Sequence, residues 1–446
     1  MHGVSHHDGS FRHTQANPVT AEIRIVNLDW RYAMRLDNHV DGILCVAPAG
    51  TLLSAESNDG ERSTSRPVGR RLLLALLLPT LLMFLSDRTP AQSISLSSPV
   101  TYGSGGAYPA AITAGDFNND GDADLAVANQ NSSDVGILLG NGDGTFSAAA
   151  SFAAGYSPRA VATSDLDADG KLDLVVANET GNDLSVLMGN GDGTFQSAAS
   201  YGSVSYPEHI AIADLNMDGD PDLAVAGFGG SVFVLMGNGD GTFQSPVSYA
   251  TGTASTSVTV GDFDDDGKPD LAVANQDSDD LSVLINSGSG TFSTATNYTT
   301  GPHPVSISSG DFNQDGYLDL VTADIGPMSG GYITGDGYAS VLLGNGDGTF
   351  QATVDYAVGT LPHSVAVGDL DADGLPELIV GNAYGDSVSI LGGNGDGTFD
   401  AAANFGTGTF SIPFSVTLCD FNGDGKPDIA TANYFDNSAS VLINQT

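Results

Sequence analysis

One ten-residue run, written seven times, limits this chain more than any other feature. It reads DFNNDGDADL from Asp116, DLDADGKLDL from Asp165, DLNMDGDPDL from Asp214 and DFDDDGKPDL from Asp262. It returns as DFNQDGYLDL from Asp311, DLDADGLPEL from Asp369 and DFNGDGKPDI from Asp420. Successive starts lie 49, 49, 48, 49, 58 and 51 residues apart. A period of about 50 residues with several short apolar alternations belongs to propeller blades, four-stranded sheets that bury their faces only against neighbours.

The strands are placed by their period of two. Ahead of each acidic run stands a β-rich segment such as PRAVATSD, and after it DLAVAN or DLVVAN. A polar stretch such as ETGND then leads to SVLMG, and GNGDGTF turns into a fourth segment such as FQSPVSY. The seventh unit stops at SVLINQT, without the glycine turn and the fourth strand. LSSPVTY, from Leu96 to Tyr102, matches FQSPVSY, from Phe243 to Tyr249, yet has no blade ahead of it. The expected fold is therefore all-β, a seven-bladed β-propeller of four-stranded antiparallel blades. Its N-terminal strand should pair with strand three of the last blade, covering two open edges.

The net charge of −41 comes from 54 Asp+Glu against 13 Lys+Arg. So few cations cannot neutralise a phosphate backbone, which excludes nucleic acid as a partner. Nine of the 13 basic residues precede Ala91, together with nine acids, so the whole excess lies beyond it. At that junction Arg70 and Arg71 are followed by the apolar run Leu72 to Leu85, with small residues around Ala91. This pattern predicts an export signal over residues 68–91 and a secreted product, extracellular or periplasmic. The run is short for a membrane span and Pro79 interrupts it, so membrane contact is expected only through an uncleaved signal. Residues 1–67 carry no repeat and read as a disordered leader or a misassigned start, and residues 92–446 as the propeller. Cys45 falls in the leader and Cys419 stands alone beyond it, so core packing or metals, not a disulfide, should hold the exported part.

Each acidic run offers oxygen at positions one, three, five and nine, with glycine at six. A D-x-[DN]-x-[DN]-G loop presents such oxygens to a hard cation on one concave face, and glycine permits the left-handed turn that wraps it. The runs hold 27 of the 45 acids beyond Ala91. Two carboxylates about 4 Å apart repel by roughly 4 kcal/mol at an effective dielectric near 20. Calcium, up to seven ions, is the expected cofactor; acidic hairpin turns without metal are the alternative.

These runs resemble the FG-GAP/VCBS repeats of integrin α-chain propellers and of many exported bacterial proteins, over residues 93–446. The resemblance implies one ion at Asp116, Asn118, Asp120 and Asp124, and another at Asp165, Asp167, Asp169 and Asp173. It implies the same for Asp214, Asn216, Asp218 and Asp222, and for Asp262, Asp264, Asp266 and Asp270. The last three sets are Asp311, Asn313, Asp315 and Asp319; Asp369, Asp371, Asp373 and Glu377; and Asp420, Asn422, Asp424 and Asp428. Glu377 departs from the usual Asp at position nine, and its longer reach should loosen that site.

Counting strand reversals puts the acidic loops and GNGDGTF turns on one uniform face and the remaining loops on a variable one. Arg159, His209, His303 and His363 all fall at the start of a strand one, on the variable side, and Glu208 shares the offset of Arg159 and His363 from the acidic run. Tyr108, Tyr156 and Tyr206 lie in the same connections, and Tyr384, Tyr434 and Phe435 in strand two-to-three loops. Aromatic faces stack on sugar rings, and Arg with Glu bonds hydroxyls or anions. The expectation is an exported calcium-binding module, for binding or adhesion, with a glycan or protein partner on this face; ordinary solvated loop residues are the bland alternative. No nucleophile motif, zinc HExxH or phosphate-cradling loop appears beyond residue 91. The other function class is an enzyme acting on extracellular polysaccharide, with Glu208 and His209 or His363 as its acid–base pair. Fold alone decides neither.

Overall fold

The segment closing each acidic run is mostly apolar between polar ends, and each forms a six-residue strand with every residue buried, from Asp124–Asn129 to Asp428–Asn433. Such a strand needs apolar cover on both faces. The computed structural model, which describes residues 45–46, 52–53 and 93–446 apart from 330, 331 and 334, supplies that cover from adjacent blades. Blade 1 consists of Pro109–Gly115, Asp124–Asn129, Asp134–Leu138 and Ala150–Ala153, paired antiparallel in that order. Blades 2 to 7 repeat the pattern from Pro158, Pro207, Ser255, Pro304, Pro362 and Pro413. The long fifth repeat carries an added two-residue hairpin, Met328–Ser329 against Tyr332–Ile333, between its second and third strands.

The ring closes as the sequence requires. Val100–Gly103 is the outer strand of blade 7, with Val100 opposite Val441, Thr101 opposite Ser440, Tyr102 opposite Ala439 and Gly103 opposite Ser438. The seal continues through Ser97 N–H donating to the Ile443 carbonyl (2.8 Å) and Gln445 N–H to that of Ser95 (2.7 Å).

Among the described residues there is no single core. The buried apolar side chains form seven clusters, each drawn from two neighbouring blades; Val127 and Leu138 of blade 1, for instance, meet Ala430 and Val441 of blade 7. Outer strands are mostly exposed and bury one aromatic against the next blade. Tyr102 meets Phe146 edge-to-face at 5.4 Å, and Phe146 meets Phe421 at 5.5 Å.

Hydrogen bonds fasten the same seams. On the uniform face, the Gly193 N–H of blade 2 donates to the Phe117 carbonyl in the acidic run of blade 1 (2.9 Å), and other glycine turns do likewise. Blade 7 lacks that turn, and Asn444 Nδ2 donates instead to the Leu370 carbonyl of blade 6 (2.6 Å). On the inner strands, the Ser257, Ser306, Ser364 and Ser415 hydroxyls each accept an N–H from the following blade at 3.2–3.3 Å.

Met1–Ser86 is a separate unit, in which Cys45–Val46 pairs antiparallel with Leu52–Leu53. The rest of the leader and the expected signal segment lie outside the described residues. Among the described residues no helix is long and apolar enough to cross a membrane.

Candidate functional site

Two sets of side chains on opposite faces carry chemistry. On the uniform face, the position-one carboxylate of each acidic run accepts the N–H groups of positions five and six, as Asp165 does from Asp169 (3.1 Å) and Gly170 (2.9 Å). Position six has φ between +82° and +96° in every run, and a Cβ there would meet nothing, so conformation alone demands glycine. Position four is also left-handed, even where it is Ala168, Met217, Gln314 or Ala372. A left-handed turn repeated at unsuited residues marks a loop held wrapped for a purpose.

Position nine is the buried member. Asp124 accepts from the Phe117 N–H (2.8 Å) and the Gly140 N–H (2.7 Å), which ties the acidic loop to the start of the glycine turn. Burial, opposed by those donors and reinforced by neighbouring carboxylates, pushes Asp124, Asp270, Asp319 and Asp428 up to about 6. Asp173 and Asp222 are raised for the same reason. Burial pushes Glu377 up to about 7; it accepts only the Leu370 N–H, and the Asp371, Asp369 and Asp373 carboxylates add to the rise.

The oxygens fit a hard cation. In three runs one oxygen each from Asp165, Asp167 and Asp173, from Asp262, Asp264 and Asp270, and from Asp369, Asp371 and Glu377 converges within 4.8 Å. In the other four, Asn118, Asn216, Asn313 and Asn422 stand at position three with an amide oxygen. The position-five carboxylates turn instead to the N–H of position seven, and Asp169 and Asp266 also pair with Lys171 (2.6 Å) and Lys268 (2.5 Å). A divalent ion would neutralise the converging carboxylates at positions one, three and nine.

Chelation should therefore destabilise the protein strongly at pH 7.5 and much less at pH 5. The position-nine groups have folded values above 3.8–4.5, so without a cation stability falls as pH rises through about 6. A cation at a hundredfold its dissociation constant stabilises by about 2.7 kcal/mol per site. Thermal melts with and without chelator decide this; a midpoint indifferent to chelator at pH 7.5 counts against metal binding.

On the variable face, every inner strand carries a β-bulge at the same place, six residues before the acidic run. The bulged residues are Ala110, Arg159, Glu208, Thr256, Val305, His363 and Phe414. All seven line a central cavity of about 830 Å³. A bulge leaves its residue out of the ladder and re-aims the side chain. The fold thus sets seven different groups around one opening.

These groups are arranged unevenly. Arg159 Nε donates to Glu208 Oε2 at 2.8 Å. Because Ala110 fills little of the space between blades 2 and 7, the guanidinium also reaches the Phe414 ring, 5.6 Å from its centroid. His363 stacks on Phe414 at 4.0 Å and Phe414 on Tyr434 at 4.4 Å, with Tyr108 and Phe435 beyond. Tyr434 O–H donates to Gln130 Oε1 (2.8 Å), whose Nε2 donates to Glu179 (3.0 Å). Burial, and then the Arg159 charge, pushes the His363 imidazole down to about 3. Burial also raises the Glu208 carboxyl, against the pull of Arg159.

Of the residues singled out in the sequence, Arg159, Tyr206, Glu208, His209 and His363 line the cavity, and Tyr108 and Tyr434 join its aromatic column. His209 is committed to structure: its Nδ1 accepts the Val258 N–H (3.5 Å), standing where later blades use serine, and burial holds it down to about 4. Tyr156 and Tyr384 are exposed outside the cavity. His303 sits apart in a left-handed turn, its N–H donating to Asp279 at 2.9 Å. Phe414 was missed, although it shares the offset of Arg159, Glu208 and His363. That shared spacing was the signal, and an aromatic opening an apolar strand hid it by reading as core.

Residues 116–176, 165–225, 214–273, 262–322, 332–380 and 369–431 each match the family model of an FG-GAP-like repeat. No curated protein sequence matches the chain. Among solved structures, a lectin of Agrocybe aegerita that recognises non-reducing terminal N-acetylglucosamine is similar at 20% identity and a TM-score of 0.51, over 77% of this chain and 97% of that one. BBS1N, solved in complex with ARL6DN, is similar at 10% identity and a TM-score of 0.55, over 79% and 96%. Virginiamycin B lyase of Staphylococcus aureus is similar at 14% identity and a TM-score of 0.53, over 78% and 99%. At these identities the likeness is one of fold.

Proposed function

The chain belongs to the FG-GAP-like repeat family, and from that premise we propose that it is an exported recognition module, its shape set by calcium, that binds a glycan at the mouth of the central channel. The observation that carries this is the ring of seven bulges, which keeps the backbone constant and varies only the side chain it presents. Export rests on the sequence alone, through Arg70, Arg71 and the apolar run after them. Calcium rests on the converging oxygens of the acidic runs and on their raised carboxyl groups.

The solved relatives include a lectin, a protein bound to a protein and a lyase, so the outline selects none of these roles. The side chains favour recognition. The exposed aromatics Tyr206 and Phe228 line the opening, Phe435 packs on Tyr108 and Tyr434 beside it, and the Arg159–Glu208 pair offers donor and acceptor together. For a polysaccharide-cleaving enzyme an acid–base pair would be needed. Arg159 engages Glu208, and the Nδ1 atoms of His209 and His363 are engaged by backbone groups.

The test is a glycan array probed with the purified protein, in calcium and in chelator. Calcium-dependent binding that Arg159→Ala or Glu208→Ala removes is the expected result. Silence on the array from folded protein would transfer the role to a protein partner on the same face.

A further inference from the structure

We propose that the channel mouth accepts a single uncharged, hydroxyl-bearing ring, a neutral sugar terminus, held by Arg159, Glu208 and His363. This rests on the recognition reading above and specifies its ligand.

Arg159 spends only Nε on Glu208, so among the described residues its two Nη groups have no protein partner. Those groups carry four N–H donors. Glu208 receives that bond on Oε2, leaving Oε1 as an acceptor. His363 Nδ1 lies 2.9 Å from the Phe414 carbonyl. A carbonyl only accepts, so the proton is on Nδ1 and the Nε2 of the neutral ring is a lone-pair acceptor. The opening therefore offers the Arg159 donors and two acceptor atoms, Glu208 Oε1 and His363 Nε2, with the Arg159 and Glu208 charges cancelling.

A hydroxyl donates and accepts at once and fits this set. An anion could take the Nη donors, but would meet Glu208 Oε1 in a chain of net charge −41. A cation would meet Arg159. Aromatic surface completes the site. Phe414 has one face on His363 and the other on Tyr434, so the aromatic surface open to the apolar side of a sugar ring is that of Tyr206 and Phe228, both exposed and both lining the cavity. The cavity of about 830 Å³ falls within the range usual for small-ligand sites.

The experiment is calorimetric titration of the full protein in calcium with methyl glycosides of neutral hexoses and N-acetylhexosamines, alongside glucuronic acid and inorganic sulfate. The expected result is saturable binding of a neutral glycoside and none of sulfate. Arg159→Lys, Glu208→Gln and His363→Phe should each weaken it by roughly tenfold or more, with thermal midpoints close to that of the parent protein. Affinity should hold across the range where a free imidazole titrates, because burial keeps His363 neutral, and should fall on acidification where Glu208, whose carboxyl burial raises, takes up a proton. Tighter binding of glucuronic acid or sulfate would overturn neutrality while leaving recognition at the mouth intact. Neutral binding that ignores all three substitutions would overturn this placement and leave a glycan site elsewhere on the face. No sugar binding by folded protein would overturn both readings.

Discussion

Asp324→Asn should stabilise the protein at pH 8, with a gain that shrinks on acidification and is gone by about pH 4. Asp324 is fully buried at the end of the second strand of blade 5, where blades 1, 2, 4, 6 and 7 carry Asn129, Asn178, Asn275, Asn382 and Asn433. Blade 7 shows the asparagine version of the same cluster. There Thr431 Oγ1 donates to Asn433 Oδ1 (2.9 Å), and Asn433 Nδ2 donates to Ser440 Oγ (2.7 Å). In blade 5 Thr322 Oγ1 donates to Asp324 Oδ1 (2.8 Å), but the Ser340 hydroxyl lies against both Asp324 and Asp355. One hydroxyl proton cannot serve two carboxylates. Burial pushes Asp324 from 3.8 up to about 7, so the folded state holds a proton that the unfolded chain releases, and stability falls as pH rises through that window. The difference is on the order of 3 kcal/mol above pH 7. Urea unfolding of both proteins at pH 8, 6 and 4 measures it. Equal stabilities at pH 8 would show that Asp324 pays no ionisation penalty there.

Deleting residues 92–103 should abolish the single cooperative unfolding transition. The strand Val100–Gly103 contributes its ladder to Val441 and Ser440, and Tyr102 leans on Phe146 between blades 7 and 1. Loss of the half-buried Tyr102 ring costs on the order of 1–2 kcal/mol, and each ladder hydrogen bond adds about 1 kcal/mol. The deletion also uncovers the edge of Ser438–Leu442, a surface ready to pair with another chain. Calorimetry should show a broad, early transition and light scattering some association. A parent-like melt would mean that the seal does not hold the ring.

The strand count and the blade count were legible because the unit recurs, and repetition turns a weak local pattern into a strong one; the closing strand was legible because LSSPVTY matches a recurring fourth strand that the seventh unit lacks. Of the acidic loops, the residues and the left-handed glycine were legible, but not the division of labour among the carboxylates. Position nine grips backbone N–H groups, and position five turns toward position seven, for reasons set by backbone geometry. At the variable face the common offset of Arg159, Glu208 and His363 pointed to one ring, while the bulge that makes it a ring leaves no mark on composition. His209 and His303 looked like its members because they are rare residues in the right connections. One instead accepts the Val258 N–H, as serine does in later blades, and the other sits beside Asp279. Serine contacts between blades could not be read from the sequence, because their partners lie in another repeat.

The bulges separate two properties that most binding proteins must compromise between. A bulged residue adds no rung to the ladder, and its side chain faces the channel, where it meets other ring members such as Glu208 beside Arg159 and Phe414 beside His363. Exchanging one such residue for another leaves the seven apolar clusters and the closing strand untouched. Specificity at the mouth can therefore drift, or be redesigned by substituting a few ring positions, while the scaffold keeps its stability.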